Sequence, residues 1–242
     1  LQTSVTRPSV ELWEDEHGLL PQHLGGLLLD SRLPAGDGSG WHVSAGFGLG
    51  PRIADEGLDP LDLLDWNRSG RRGGFAARVA FLPDIFGGSQ IGVVGASHRM
   101  AVISPAASAA LDATTLQTDI AGVFLDWRES RWRALAAAYG LRLRYEGGAT
   151  GPRSEHFANG YLQIETQLSD TLTAYGRAEG SSRVQRSTYV TVLHPEFLAR
   201  RNLLGLRWDF RTRQALTIEG GRGATPLDRR SEIRMQWSAA FP

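Results

Sequence analysis

A chain of 242 residues with 26 acidic and 26 basic side chains carries no formal net charge, which argues against a general nucleic-acid-binding surface. Without a single cysteine it can build neither a disulfide framework nor a thiolate metal site. Hydrophobic residues make up 41% of the chain, yet no run reaches the ~18 consecutive apolar residues that a helical membrane span needs. That leaves a β-barrel open, because its spanning strands are only half apolar.

Every basic residue is arginine. Two explanations stand: the codon preference of a GC-rich genome, and a lumen in which planar, always-charged guanidinium groups bind carboxylates. No basic segment followed by an apolar one opens the chain, so any export signal is expected to have been removed or never present.

Residues 2–13 make the first strand candidate, interrupted by Pro8, which a sheet tolerates best at an edge or near a strand start. A polar connection, 14–24, leads to Leu27, Leu29 and Leu33 on one face against Asp30 and Arg32. After a Gly- and Asp-rich turn at 34–40, Trp41, Val43, Ala45, Phe47 and Leu49 oppose His42, Ser44, Gly46 and Gly48. Residues 51–73 form a long insertion whose centre, 59–66, is expected to make one or two helical turns started by Asp59 and Pro60. Phe75, Ala77, Val79 and Phe81 then oppose Arg78, and a short turn at 84–88 precedes a strand over 90–103 whose faces the pattern does not assign. Residues 104–115 read as a small-residue loop.

Beyond 116 the alternation strengthens. Ala121, Val123, Leu125 and Trp127 oppose Asp119, Asp126 and Arg128, and the chain reverses at 129–131. Leu135, Ala137, Tyr139, Leu141, Leu143 and Tyr145 are then expected on the outer face, opposite Arg142, Arg144 and Glu146. A polar loop at 147–155 follows, then Leu162, Ile164, Thr166 and Leu168 against Tyr161, Gln163, Glu165 and Gln167. The chain turns at 169–170, and Leu172, Ala174, Gly176 and Ala178 oppose Tyr175, Arg177 and Glu179. A second long connection spans 181–200, with strand character expected at 189–193. Leu204, Leu206, Trp208 and Phe210 oppose Arg207 and Asp209; after a turn at 211–214, Leu216 and Ile218 oppose Thr217 and Glu219. A loop at 224–230 leads to the closing strand, in which Ile233, Met235, Trp237, Ala239 and Phe241 alternate with Glu232, Arg234, Gln236 and Ser238.

Short and longer connections alternate along the whole chain. An up-and-down transmembrane barrel with short turns at one end and longer loops at the other produces that alternation, whereas a Greek-key sandwich has no reason to. The expectation is an all-β chain: one transmembrane up-and-down antiparallel β-barrel domain over 1–242, of about twelve strands, closed by pairing its last strand with its first. The connections 14–24, 51–73, 104–115, 147–155, 181–200 and 224–230 would be its external loops. Trp41, Phe81, Trp127, Trp208, Phe210 and Phe241 lie beside the short turns, where an interfacial aromatic girdle would put them.

The ending I-R-M-Q-W-S-A-A-F resembles the C-terminal assembly signal of Gram-negative outer-membrane β-barrel proteins, with Ile233, Met235, Trp237 and Phe241 as its matching residues, although Pro242 follows where those proteins end on the aromatic. The segments L-L-G-L-R-W-D-F and Q-A-L-T-I-E are similar to the final hairpins of porin-like proteins. The resemblance implies a bacterial outer-membrane location, with outer-membrane lipid and the barrel-assembly machinery as partners. It further implies passage of small solutes. Twelve-stranded outer-membrane channels for acidic sugars have Arg-lined lumens, so anionic solutes belong among the expectations.

The polar faces nominate Arg78, Arg142, Arg144, Arg177, Arg207 and Arg234, with Glu165, Glu179, Glu219 and Glu232, as lumen and selectivity residues. Either these groups pair across the barrel and hold it shut, or its arginines select anions in a constricted channel. The expected function is a porin-like channel for passive diffusion of small hydrophilic solutes. The alternative is a non-conducting structural or partner-binding barrel.

A third reading, a lipid hydrolase, rests on His42 and Ser44, two apart and so on one strand face, with Asp30 as orienting acid. The His-Val-Ser run is similar to the H-x-S-N element of outer-membrane phospholipases and lipid A deacylases, with Ala45 at the Asn position. An enzyme is not the expectation, and neither a cofactor nor a metal is implied. The six histidines lack metal-ligand spacing, and Gly46, Gly48 and Gly50 lead into Pro51 rather than into the helix a nucleotide site requires.

Overall fold

The computed structural model describes residues 25–55, 57–59, 71–195, 197–225 and 228–239. The first strand candidate, 2–13, the connection 14–24 and Phe241 lie outside them, as does all but Asp59 of the helical turns expected at 59–66.

Eleven strands form one antiparallel sheet in which nearly every neighbour in space is the neighbour in sequence. They begin with β1 (Gly25–Pro34) and β2 (Gly40–Leu49). A small separate hairpin, β3 (Arg52–Ala54) and β4 (Gly57–Asp59), interrupts before β5 (Arg71–Leu82) and β6 (Gln90–Ala101). Asp59 is the last residue of β4, and the rest of the expected turns lies outside the described residues. The meander continues through β7 (Thr115–Arg128), β8 (Trp132–Glu146), β9 (Arg153–Ser169), β10 (Leu172–Ser182), β11 (Arg200–Arg211), β12 (Gln214–Ala224) and β13 (Arg229–Ala239).

The expected closure of the sheet is not found. Among the described residues the sheet has eleven strands, β1 pairs only with β2 and β13 only with β12; the remaining strand candidate of the expected twelve, 2–13, lies outside them.

Register shows what each face carries. Trp41 stands opposite Phe81, Val43 opposite Val79, and Phe47 opposite Phe75. Val93 stands opposite Val123, Leu206 opposite Ile218, and Ile218 in turn opposite Met235. These apolar rows are largely open: Ile233 is 86% exposed, Leu204 74% and Phe47 66%. The other face is covered and carries Arg177, Glu179, Gln163, Glu165, Arg201 and Glu219. A soluble sheet has the opposite arrangement, apolar side in and charged side out. Trp41, Trp132, Trp208 and Trp237 cluster on the open face toward the short-turn end, with Trp41 against Phe81 (centroids 5.3 Å) and Trp208 against Phe210 (5.4 Å).

Two short helices fill the long-connection end. The segment 104–115, expected as a loop, contains α1 (Pro105–Leu111). Ser104 Oγ accepts the Ala107 amide at 3.1 Å and proline opens the first turn. Residues 189–193, expected as extended, lie in α2 (Thr188–Leu193), whose N-cap Ser187 accepts from the Val190 amide. The two helices touch, although the four strands β7 to β10 separate their parent connections in the sheet. That contact requires the sheet to curl around its charged face, as the right-handed twist of a long antiparallel meander allows.

The curl explains a corrected face. Leu135, Ala137, Tyr139 and, at the long-connection end, Leu141, Leu143 and Tyr145, all expected outside, take the inner face, and Arg142, expected inside, is exposed, with Arg144 beside it on the open face. At this end of β8 the inner face meets Met100, Leu111, Leu116, Phe157, Tyr189 and Val190, an ordinary apolar core, so apolar residues point in. On β10 and β11 the inverted arrangement persists toward the long connection, where Glu179 and Arg201 are buried on the inner face.

Candidate functional site

The candidate site is the charged interior, which runs from Asp126 and Arg133 beside a short turn to Glu179, Arg201 and Glu232 near the long-connection ends of β10, β11 and β13. Alternation on β9 puts Gln163 and Glu165 inside because Leu162 and Ile164 take the open face. Neighbouring strands supply the partners by register: Arg177 stands opposite Gln163, and Glu179 opposite Arg201. A continuous polar chain results. Asp126 is bound bidentately by Arg133 (2.8 and 2.7 Å) and more loosely by Arg128. Arg133 comes within 3.9 Å of Glu165, which accepts from Gln163 Nε2 at 2.7 Å. Gln163 Oε1 accepts from Arg177 at 3.1 Å. Arg177 and Arg201 then converge on Glu179 at 2.8 and 2.7 Å. Arg201 reaches toward Glu232 at 3.8 Å, and Glu232 holds Arg234 at 2.9 Å.

Burial makes this chain consequential. The side chains of Arg177 and Glu179 are 0% and 1% exposed, and Arg201 is scarcely more open. Charges so far from water persist only when paired and hydrogen-bonded. Tyr175 donates to Glu219 at 3.0 Å. Its ring lies over Gly205, where an added Cβ would come within 2.2 Å of it. Gly205→Ala is therefore expected to displace Tyr175 and break the bond to Glu219, seen as a lower midpoint in chemical denaturation of the folded protein.

Of the sequence-predicted set, Arg78, Arg177, Arg207, Arg234, Glu165, Glu179, Glu219 and Glu232 share the inner face, while Arg142 and Arg144 do not. Arg78 donates to Gln90 at 2.9 Å and stacks over Phe124 at 4.3 Å; Arg207 donates to Asp209 at 2.7 Å. Arg144 binds Asp119 at 2.8 Å on the open face. Arg133 and Arg201 are further interior groups that the sequence pattern does not reveal. Arg133 begins a strand beside a turn, and Arg201 follows Arg200 where no apolar residue yet marks the phase.

His42 and Ser44 also face inward. His42 Nε2 lies 2.9 Å from Asp30 Oδ2, so the acid nominated to orient the histidine does meet it. Ser44 stands opposite Asp30 and Arg78 in register, and among the described residues it makes no hydrogen bond to His42. No group of three or more potential metal ligands occurs among the described residues.

Above the charged chain, the Tyr145 hydroxyl donates to Glu155 at 2.8 Å and accepts the Tyr189 amide at 3.1 Å. The Thr188 amide donates to the same Glu155 oxygen at 3.0 Å. These bonds pin the first turn of α2 inside the curl. Asp112, just past α1 in the left-handed conformation (φ 44°), ties a second loop down by accepting from the Thr150 hydroxyl and from the Ala149 and Thr150 amides.

The Thr150 hydroxyl and these two amides hold the Asp112 carboxyl below its ordinary range. A depressed pKa stabilises the folded loop fully above the unfolded value of ~3.9, and the contribution is lost as pH falls through the folded value. The Thr150 amide resonance is thus expected to titrate with an apparent pKa below ~3.9. Asp112→Asn should abolish that titration; an unchanged curve would remove Asp112 from the clamp.

No family model, curated protein or solved structure matches this chain.

Proposed function

We propose that the chain is an outer-membrane β-barrel whose interior is closed, a structural or partner-binding barrel that does not conduct. What carries the reading is the inversion of the sheet: contiguous exposed apolar rows on one face and fully buried ion pairs on the other. A water-soluble monomer has no use for so large an open apolar surface, whereas lipid covers it at no cost. Trp41, Trp132, Trp208 and Trp237 at the short-turn end suit an interfacial girdle, and the terminal strand suits recognition by the assembly machinery.

Closure is supported by the Asp126-to-Arg234 chain and by the apolar core around α2, both of which occupy space that a solute would need. Purified protein folded in detergent and added to a planar bilayer is expected to insert without stable current steps. Steps with anion preference would favour an open channel for small hydrophilic solutes and direct attention to Arg177 and Arg207. That channel is the second reading, favoured by the small inner-face residues Ser44, Gly46 and Gly48 of β2 and Ala76 of β5, which leave that wall thinly filled. The hydrolase reading has the Asp30–His42 contact but, among the described residues, no hydrogen bond from Ser44 to His42, and an inward Ser44 faces away from lipid.

A further inference from the structure

On the open face, the long-connection ends of β11, β12 and β13 bring arginines into one patch. Asn202 stands opposite Arg222, and Arg222 opposite Ser231; Arg200 and Arg229 both stand opposite Ala224. With Arg230 these residues line a shallow cleft of about 410 Å³ that holds no acidic side chain among the described residues. A larger cleft of about 1220 Å³ adjoins it over the rim, sharing Arg200 and Arg229 and adding Arg183, Arg186 and the single acid Asp228. Arg200, Arg222, Arg229 and Arg230 make no ion pair among the described residues, and all four are exposed.

The same height on the opposite wall is built differently. There Arg144 is bound to Asp119 at 2.8 Å and Arg99 to Glu146 at 3.3 Å. Among the described residues no acid pairs with Arg200, Arg222, Arg229 or Arg230, and their mutual repulsion favours an anionic ligand. Directly beneath them in the same rows come Leu204 opposite Gly220 and Gly220 opposite Ile233, then Leu206, Ile218 and Met235. A cationic cleft stacked on an open apolar strip has the two-part chemistry of an acylated lipid with a phosphate headgroup.

We infer that this cleft binds the phosphate of an anionic lipid in the surrounding leaflet, with the headgroup among Arg200, Arg222 and Arg229 and the acyl chains along Leu204, Ile233 and Met235. Guanidinium forks bind phosphate bidentately, and three of them converging with Asn202 and Ser231 give directional donors as well as charge. The inference rests on the membrane reading above and adds the headgroup chemistry and the place on the wall.

The test compares full-length protein reconstituted in phosphatidylcholine bilayers and in phosphatidylcholine doped with phosphatidylglycerol, then extracted in mild detergent for native mass spectrometry. Wild type should retain phosphatidylglycerol preferentially. Arg200→Gln with Arg222→Gln should lower retention by on the order of tenfold or more, while Arg144→Gln on the opposite wall should leave it unchanged. A folded-band assay on all samples shows whether each variant still folds. Protein that inserts yet retains both lipids equally overturns the headgroup site and leaves the barrel standing. Protein that never inserts in either bilayer overturns the barrel reading itself. Displacement of the bound lipid by millimolar inorganic phosphate would identify a free anion, not a lipid, as the ligand and would also overturn the inference.

Discussion

Glu179→Ala is expected to destabilise the folded protein by about 3–5 kcal/mol, the cost of breaking a buried ion pair from one side. Arg177 and Arg201 both bind Glu179, and none of the three side chains is more than 4% exposed. Removing the carboxylate leaves two guanidinium groups facing each other in a medium that screens them poorly. Glu179→Gln keeps the shape and one acceptor but loses the charge, so its cost should fall between wild type and alanine. Urea unfolding in detergent micelles, followed by tryptophan fluorescence, reads the difference as a shift in midpoint at constant slope. A loss below about 1 kcal/mol, the range of exposed pairs, would mean that water reaches Glu179 and that the interior is open.

Glu155→Ala is the second substitution with a large expected effect, and its effect is local. Glu155 accepts both the Tyr145 hydroxyl and the Thr188 amide, and Tyr145 accepts the Tyr189 amide. α2 has six residues, too few to be stable without its surroundings. A hydrogen bond to a charged group is worth about 1.5–3 kcal/mol, so losing this clamp should speed exchange of the α2 amides by roughly 10- to 100-fold. The amides to follow are Thr191, bonded to the Ser187 carbonyl at 3.0 Å, and His194, bonded to the Val190 carbonyl at 2.9 Å. Tyr145→Phe removes the hydroxyl alone and should give a smaller acceleration. Exchange as slow as in wild type would show that packing of Tyr189 and Val190 holds the helix without the clamp.

Much of the strand order was legible because short turns and longer connections alternate and because β9 to β13 alternate apolar or small residues with mostly polar or charged ones. The faces of those strands follow from that alternation, and Glu165, Arg177, Glu179 and Glu219 lie where it predicts. β8 departs from the expectation because its larger apolar residues face inward from Leu135 to Tyr145. Leu141, Leu143 and Tyr145 serve a core made by α1 and α2, segments more than thirty residues away on either side in part, and no local pattern reports that. The helices themselves left a readable trace: Ser104-Pro105 and Ser187 are N-cap and first-turn signals that the loop assignment passed over. The Glu179–Arg201 pair could not be read before the strand register was known, since twenty-two residues separate its members.

The central claim is that the open apolar face meets lipid while the charged face is enclosed. With no native cysteine, single nitroxide labels can be placed cleanly at Leu206→Cys, Ile218→Cys and Met235→Cys on one face and at Thr173→Cys, Thr217→Cys and Gln236→Cys on the other. In bilayers, the first three labels should collide with lipid-dissolved oxygen and be shielded from a water-soluble nickel reagent. The second three should lose the oxygen signal, giving a period-two alternation along each strand. Equal access of the nickel reagent to both sets would contradict the account, because an apolar face bathed in water cannot be the outside of a membrane barrel.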